Sequence, residues 1–305
     1  MIAVIHFAYG APTSIDDVPT YFSHIIGGRE VPPPMLEKIV AQFKQPAQAD
    51  FIASATQRIA KGLQHLLPTM LQQHVRVYNA YKHTAPFLAD AVTQAIEDGA
   101  TTIVTLPINP IFSPSGAGTF HAEAAQLIAG KNIQHIEIKG WNTHSAIVDI
   151  YADRVSRAYN WLPAESRKNA YVYFTVHSQP IKPEGNEPYV GEFEALAAAV
   201  AKKAGIENFA TVYRSSGGKA NWLAPDVKDA IRAQAAEGTS GFVTCELLSL
   251  AADVESFIEI GPDCEALAQE LNVNFVRAEF PGDSFDTVMA LAQIVQEHVL
   301  AAANA

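Results

Sequence analysis

The chain has 305 residues, 49% of them hydrophobic and 17% charged, enough apolar material for one large or two closely packed α/β domains. Its formal net charge of -11, with 21 Lys and Arg scattered along the sequence, excludes a polyanion-binding surface, so nucleic acid is not an expected partner. Cys245 and Cys264 lack CxxC spacing and allow neither a disulfide framework nor an iron-sulfur site; Cys245 reads as a core residue.

The opening segment, Met1 to Gly10, has no basic n-region and runs into a Gly-Ala-Pro turn, so it reads as a buried first strand and not a signal peptide. No apolar run reaches the roughly 18 residues needed to span a bilayer, and the expected location is the cytoplasm. Strand-like runs occur at 2–7, 75–79, 102–106 and 135–139, and again at 171–176, 210–213, 241–245 and 274–278. Amphipathic, Ala-rich stretches at 51–67, 85–97, 191–203 and 226–236 lie between them. This alternation predicts an α/β fold of two similar, doubly wound, four-stranded parallel-sheet halves of Rossmann-like type, divided as 1–150 and 151–305.

An internal repeat supports the division. Val77-Tyr78, Leu88-Ala89, Val92 and Ala95-Ile96 recur as Val212-Tyr213, Leu223-Ala224, Val227 and Ala230-Ile231, each displaced by 135 residues. Each half also opens with a strand ending in a proline-closed turn, Tyr9-Gly-Ala-Pro12 and His177-Ser-Gln-Pro180. Tyr9 and His177 are thus positional equivalents at the carboxyl ends of first strands, where open α/β sheets place ligand sites, and a cleft between the halves is expected.

His177 is the leading candidate for chemistry, since a histidine there either changes charge near neutral pH or offers a nitrogen to a metal. Downstream, Glu255, Glu259 and Asp263 are spaced i, i+4, i+8, one ladder if the segment is helical, among the apolar Phe257, Ile258 and Ile260. A solvated acidic face is the alternative, but the ladder has no basic partner within its segment, and like charges at i, i+4 repel. Gly261-Pro262 interrupts a regular helix, so the third rung needs an irregular or widened π-type turn. Lys82-His83 is either a site pair or a solvated loop. Ser113 to Gly118 lacks the spacing of a phosphate loop. His6 and His24 have no ligand-spaced partner and read as structural.

Together these segments resemble the ferrochelatase family, particularly the short bacterial coproporphyrin ferrochelatases, over nearly the whole chain. The matching pieces are Ala8 to Pro12, Tyr21 to Ile25, Lys82 to Phe87, Val176 to Pro180, Trp222 to Val227 and Ala252 to Asp263. The resemblance implies a chelatase-like fold and an enzyme of haem biosynthesis that inserts Fe2+ into a porphyrin, coproporphyrin III. It implies His177 and Glu255 as the catalytic pair, with His177, Glu255, Glu259 and Asp263 as metal-handling residues, the last two on a π-type helix leading outward. It implies Tyr9, Ile26, Gln42, Phe43, Asp50 and Phe120 as porphyrin contacts, Tyr9 from the face opposite the pair. Fe2+ enters as substrate, no tightly bound cofactor is expected, and nothing requires a dimer.

Several positions depart from the family pattern. Arginines that help hold propionates are replaced by Ile26 and Gly27, an Arg-Tyr pair by Gln42-Phe43, a serine before proline by Asp50-Phe51, and two histidines by Ile111 and Asp253. Arg29, Lys82 and Arg214 are candidates to take over those propionate contacts. Two competing readings therefore stand beside iron insertion: a non-catalytic tetrapyrrole-binding protein, and a chelatase for another metal or macrocycle, since imidazole and carboxylate ligands do not by themselves choose iron over cobalt.

Overall fold

A computed structural model describes residues 1–44, 51–216 and 220–304. The chain divides into two compact units, one of residues 1–140 and 282–305, the other of residues 141–281.

In the first unit the strands are β1 (Ile2–Ala8), β2 (Val75–Tyr81), β3 (Thr102–Pro107) and β4 (Gln134–Glu137), all parallel in the order β2-β1-β3-β4. The helices are α1 (Val18–Ile25), α2 (Pro33–Phe43), α3 (Phe51–Leu71), α4 (Leu88–Glu97) and α5 (Ala117–Ile128). In the second unit, α6 (Ser145–Trp161) and α7 (Ala164–Arg167) precede β5 (Tyr171–His177), α8 (Tyr189–Ala204) and β6 (Phe209–Arg214). Then come α9 (Val227–Ala236), β7 (Gly241–Glu246), α10 (Val254–Glu259), α11 (Pro262–Glu270) and β8 (Asn274–Arg277). Its sheet is also parallel, in the order β6-β5-β7-β8. The final helix, α12 (Phe285–Ala303), returns to the first unit.

The two topologies are the same. The 135-residue sequence repeat matches them only in part: Val77-Tyr78 and Val212-Tyr213 lie on β2 and β6, but Leu88-Ala89 open α4 whereas Leu223-Ala224 precede α9. Every residue of β1 is buried, and β5 is buried over Val172–Val176, as parallel strands covered by helices on both faces must be. In each sheet the chain leaves its first strand toward one neighbour and later returns on the other side. The carboxyl ends of β1 and β5 are therefore topological switch points.

The observed division differs from the expected 1–150 and 151–305 at both ends. Residues 141–150 belong to the second unit: Asn142 Nδ2 donates to the Glu192 carbonyl (2.9 Å), and Lys203 pairs with Asp149 at 2.8 Å. Helix α12 is drawn to α3 by packing. Gln296 Nε2 donates to the Met70 carbonyl at 2.8 Å, and Arg58 Nε reaches Asp283 at 2.6 Å. At the crossing, a Cβ on Gly62 would lie 2.6 Å from Cγ1 of Val288, so only glycine permits this approach. Gly62→Leu is expected to lower stability by about 1–3 kcal/mol despite the ~1 kcal/mol that leaving glycine gains in a helix, read as a lower urea midpoint.

Two histidines lie in the first unit's core. His6 on β1 is fully buried, its Nδ1 3.2 Å from the Leu106 carbonyl, and His121 on α5 is 3% exposed, its Nδ1 2.7 Å from Thr105 Oγ1. Burial lowers the pKa of each to about 4, the bond to Leu106 partly opposing this for His6 and the Glu137 charge for His121. In the unfolded chain both protonate near pH 6.5. The unfolded state therefore binds more protons between about pH 6.5 and 4, and stability falls as pH drops through that window. At pH 5 the loss is about 2 kcal/mol per histidine. Urea midpoints at pH 7.5 and 5.0 test this: H6L/H121L should be flatter than wild type, and equal acid sensitivity would refute the assignment.

Candidate active site

His177 is the last residue of β5, and its register partner on β6 is Arg214, the last residue there. The backbone at His177 is held by Tyr189 Oη, which donates to its carbonyl at 2.8 Å from α8. Its ring is oriented by the next residue, with Nδ1 2.5 Å from the Ser178 carbonyl oxygen. A carbonyl only accepts, so Nδ1 carries a proton and Nε2 is the ring nitrogen left to gain or lose one. Nε2 faces Glu255 Oε2 at 3.5 Å, and both side chains are partly solvent-accessible. A ring nitrogen and a carboxylate oxygen set face to face are stabilised when a proton or a cation lies between them.

Glu255 sits in the first turn of α10, and the helix start is fixed by Asp253. One Asp253 oxygen accepts from the Ser256 amide at 2.7 Å, and Ser256 Oγ in turn accepts from the Asp253 amide at 3.0 Å, a reciprocal cap. The other oxygen accepts from Arg214 Nη2 at 3.1 Å. Arg214 is 1% exposed, and its Nε lies 3.2 Å from each oxygen of Glu246, the buried last residue of β7. Thr175 Oγ1 on β5 also donates to Glu246, at 2.7 Å. Burial works against the Arg214 charge, but Asp253, Glu246, Glu255 and Glu259 together outweigh it and raise its pKa. Arg214 is thus committed to carboxylates of its own unit and does not serve as a propionate ligand, contrary to the expectation from sequence.

The acidic ladder is not continuous. Helix α10 ends at Glu259, and Ile260-Gly261 break the chain before α11 begins at Pro262, so no π-type turn carries the third rung. The break arises from Pro262, which has no amide to continue the ladder. It is filled by Arg277 at the end of β8, whose Nη1 donates to the Phe257 carbonyl at 3.0 Å and whose guanidinium stacks 4.3 Å above the Phe257 ring. Glu259 stays near the pair: burial raises its carboxyl pKa, opposed by the Arg214 charge and by Ser215 Oγ, which donates to it at 2.8 Å. Asp263 instead pairs with Lys228 at 3.3 Å. Among the described residues no three His, Cys, Asp or Glu side chains gather as a preformed metal cage. The His177–Glu255 pair, with Glu259 behind it, is suited to transient handling of a cation.

In the first unit, the carboxyl end of β1 carries a second cluster. Tyr9 is 45% exposed, with its ring 4.4 Å from that of His83. The turn depends on Gly10, at φ +93°, where a Cβ would meet Thr84 at 2.7 Å; Tyr21 Oη donates to its carbonyl at 2.8 Å. His24 Nδ1 lies 2.8 Å from His83 Nδ1, so one of them is donor and the other acceptor. Burial, reinforced by the Lys82 and His24 charges, lowers the His83 pKa to about 4. His24 is therefore not an isolated structural histidine, unlike the buried His6; its partner is 59 residues away and invisible to spacing rules.

The other expected porphyrin contacts divide. Ile26 closes α1 and Gln42 lies near the end of α2, both partly exposed. Phe43 is buried, edge-on to Phe22 at 6.0 Å. Phe120 is a core residue, stacked on Phe7 at 4.2 Å, because α5 turns that face onto the sheet; it is not a surface contact. Asp50 lies outside the described residues. Ile111, where the resemblance led to a histidine, is buried. In the 113–118 loop the amides of Gly116 and Gly118 both donate to the Ser113 carbonyl at 3.0 Å, so they are not turned outward to cradle a phosphate.

The ferrochelatase sequence profile matches residues 1–299. The chain belongs to the ferrochelatase family. Among curated ferrochelatases, coproporphyrin III ferrochelatase of Bacillus subtilis (strain 168) is 28% identical over 301 residues, covering 96% of each chain. The protein of the same name from Geobacillus sp. (strain WCH70) is 28% identical over 305 residues, 98% of each chain. Among solved structures, the sirohydrochlorin chelatase SirB from Bacillus subtilis subspecies spizizenii, in complex with cobalt, superposes with a TM-score of 0.60 at 12% identity, covering 97% of this chain and 94% of that one. CbiX, described as the terminal enzyme of sirohaem biosynthesis in denitrifying bacteria, gives 0.52 at 10% identity, covering 97% and 98%. These two establish the fold, and membership of the ferrochelatase family makes the protein a metal chelatase. No helix among the described residues is long and apolar enough to cross a membrane.

Proposed function

We propose that the protein inserts ferrous iron into coproporphyrin III in haem biosynthesis, with His177 and Glu255 as the catalytic pair. The observation that carries this reading is the 3.5 Å approach of His177 Nε2 to the Glu255 carboxylate at a switch point. Metal insertion requires a base for two pyrrole protons and a donor that releases the ion. Nε2 accepts one proton and becomes an imidazolium stabilised by Glu255; the carboxylate supplies the second acceptor or an oxygen to the incoming ion. Glu259, whose carboxylate lies close enough to feel the Glu255 and His177 charges, is the candidate to pass protons or cations onward from the pair.

Within the first unit, Tyr9, Ile26 and Gln42 are proposed porphyrin contacts, and Arg29 and Lys82 the partners of the macrocycle's carboxylates. Lys82 Nζ already reaches the Ser115 carbonyl at 3.0 Å, and burial lowers its pKa. A panel of Fe2+, Co2+ and Zn2+ against coproporphyrin III, protoporphyrin and sirohydrochlorin tests the substrate. Fastest multiple-turnover insertion of Fe2+ into coproporphyrin III is expected. Preference for cobalt with sirohydrochlorin would replace this reading with a different chelatase activity, and tight porphyrin binding without turnover would replace it with a binding protein.

A further inference from the structure

The most heavily buried charges of the second unit, Arg214 and Glu246, take no part in the reaction as proposed. Arg214 approaches the site with one nitrogen to spare. Its Nε is engaged by Glu246 and its Nη2 by Asp253, but the buried Nη1 has no hydrogen-bond partner and lies 3.9 Å from Glu255 Oε2. That separation is too long for a hydrogen bond and short enough for a strong charge interaction. The guanidinium cannot swing away, because it is held from two elements, the end of β7 and the cap of α10. A fixed positive charge therefore lies behind the carboxylate that faces His177.

This placement is chemically pointed. Asp253, Glu255 and Glu259 with His177 would, without a nearby cation, form a strongly attractive environment for a divalent ion. A site that passes its ion to another acceptor works against itself if it binds that ion tightly. We propose that Arg214 is a positioning residue that keeps the cation affinity of the His177–Glu255 pair low, so that a divalent ion is held loosely and handed on. The inference rests on the reading of that pair as the metal-delivering site.

The test is direct binding of Co2+ to the protein without porphyrin, by titration calorimetry and visible absorption, in wild type, R214K, R214Q and R214Q/E246Q. The double variant removes both buried charges, so it remains informative if R214Q alone fails to fold. Removing the guanidinium is expected to tighten Co2+ binding by at least about tenfold in R214Q/E246Q, with R214K close to wild type. In steady-state iron insertion, KM for the metal and kcat should both fall. Unchanged or weaker Co2+ affinity in a folded R214Q/E246Q protein overturns the proposal, including when wild-type binding is too weak to measure and the double variant gains none. The two readings fail separately. Co2+ binding that tightens as expected and is lost in E255A, in a protein that inserts no metal, defeats the proposed function alone. Normal insertion with unaltered affinity defeats the Arg214 proposal alone.

Discussion

Replacing His177 with alanine is expected to slow metal insertion at least about a hundredfold while leaving the fold intact. The ring is partly exposed; Nδ1 bonds the carbonyl of the adjacent Ser178 and the ring lies 6.3 Å from that of Trp222, so its removal leaves no buried core group unsatisfied. What disappears is Nε2, the proton acceptor opposite Glu255 in the proposed reaction. Glu255→Ala should cost a similar factor by removing the other half. Because the two act as a unit, H177A/E255A should be scarcely slower than either single variant. Loss of porphyrin fluorescence on insertion measures all three, and a near-normal rate in either single variant would remove that residue from the mechanism.

Glu246→Ala is expected to destabilise the protein by about 3–5 kcal/mol, because it strands the Arg214 guanidinium in the core. Both side chains are 1% exposed, so water cannot substitute for the lost carboxylate. Thr175 Oγ1 would also lose its 2.7 Å acceptor. The loss belongs to the pair and not to the acid alone: R214Q/E246Q, which buries two neutral amides, should recover much of it. Urea unfolding of R214Q, E246Q and R214Q/E246Q gives the coupling, and additive effects would show that the buried pair is not a unit.

The eight strands of the described residues, four of the helices and the parallel arrangement were legible in the sequence because local patterns dictate them. Buried parallel strands need continuous apolar runs and covering helices need an amphipathic period, and the two strand orders show that one topology is used twice. His177 and Glu255 stood out as candidates in the sequence, one by closing a strand and the other by heading an acidic ladder, and their 3.5 Å approach is a tertiary contact. The interruption of the Glu255 to Asp263 ladder was legible at Gly261-Pro262, but not its form: two helices separated by Ile260-Gly261, with Arg277, from β8, in the gap. Phe120 was misread because an aromatic at a matching position carries no record of which way its helix faces.

The sequence by itself determined two equivalent parallel-sheet halves and the His177 and Glu255 candidates. Each derives from composition or from order along one chain segment. Only the tertiary structure decided that α12 packs with the first unit, that His24 meets His83, and that Arg214 is a buried charge behind Glu255 and not a surface ligand. These depend on contacts between residues far apart in sequence, 32 positions for Arg214 and Glu246 and 226 for Met70 and Gln296. Side-chain chemistry names the partners a residue accepts, but only packing brings one of them within reach.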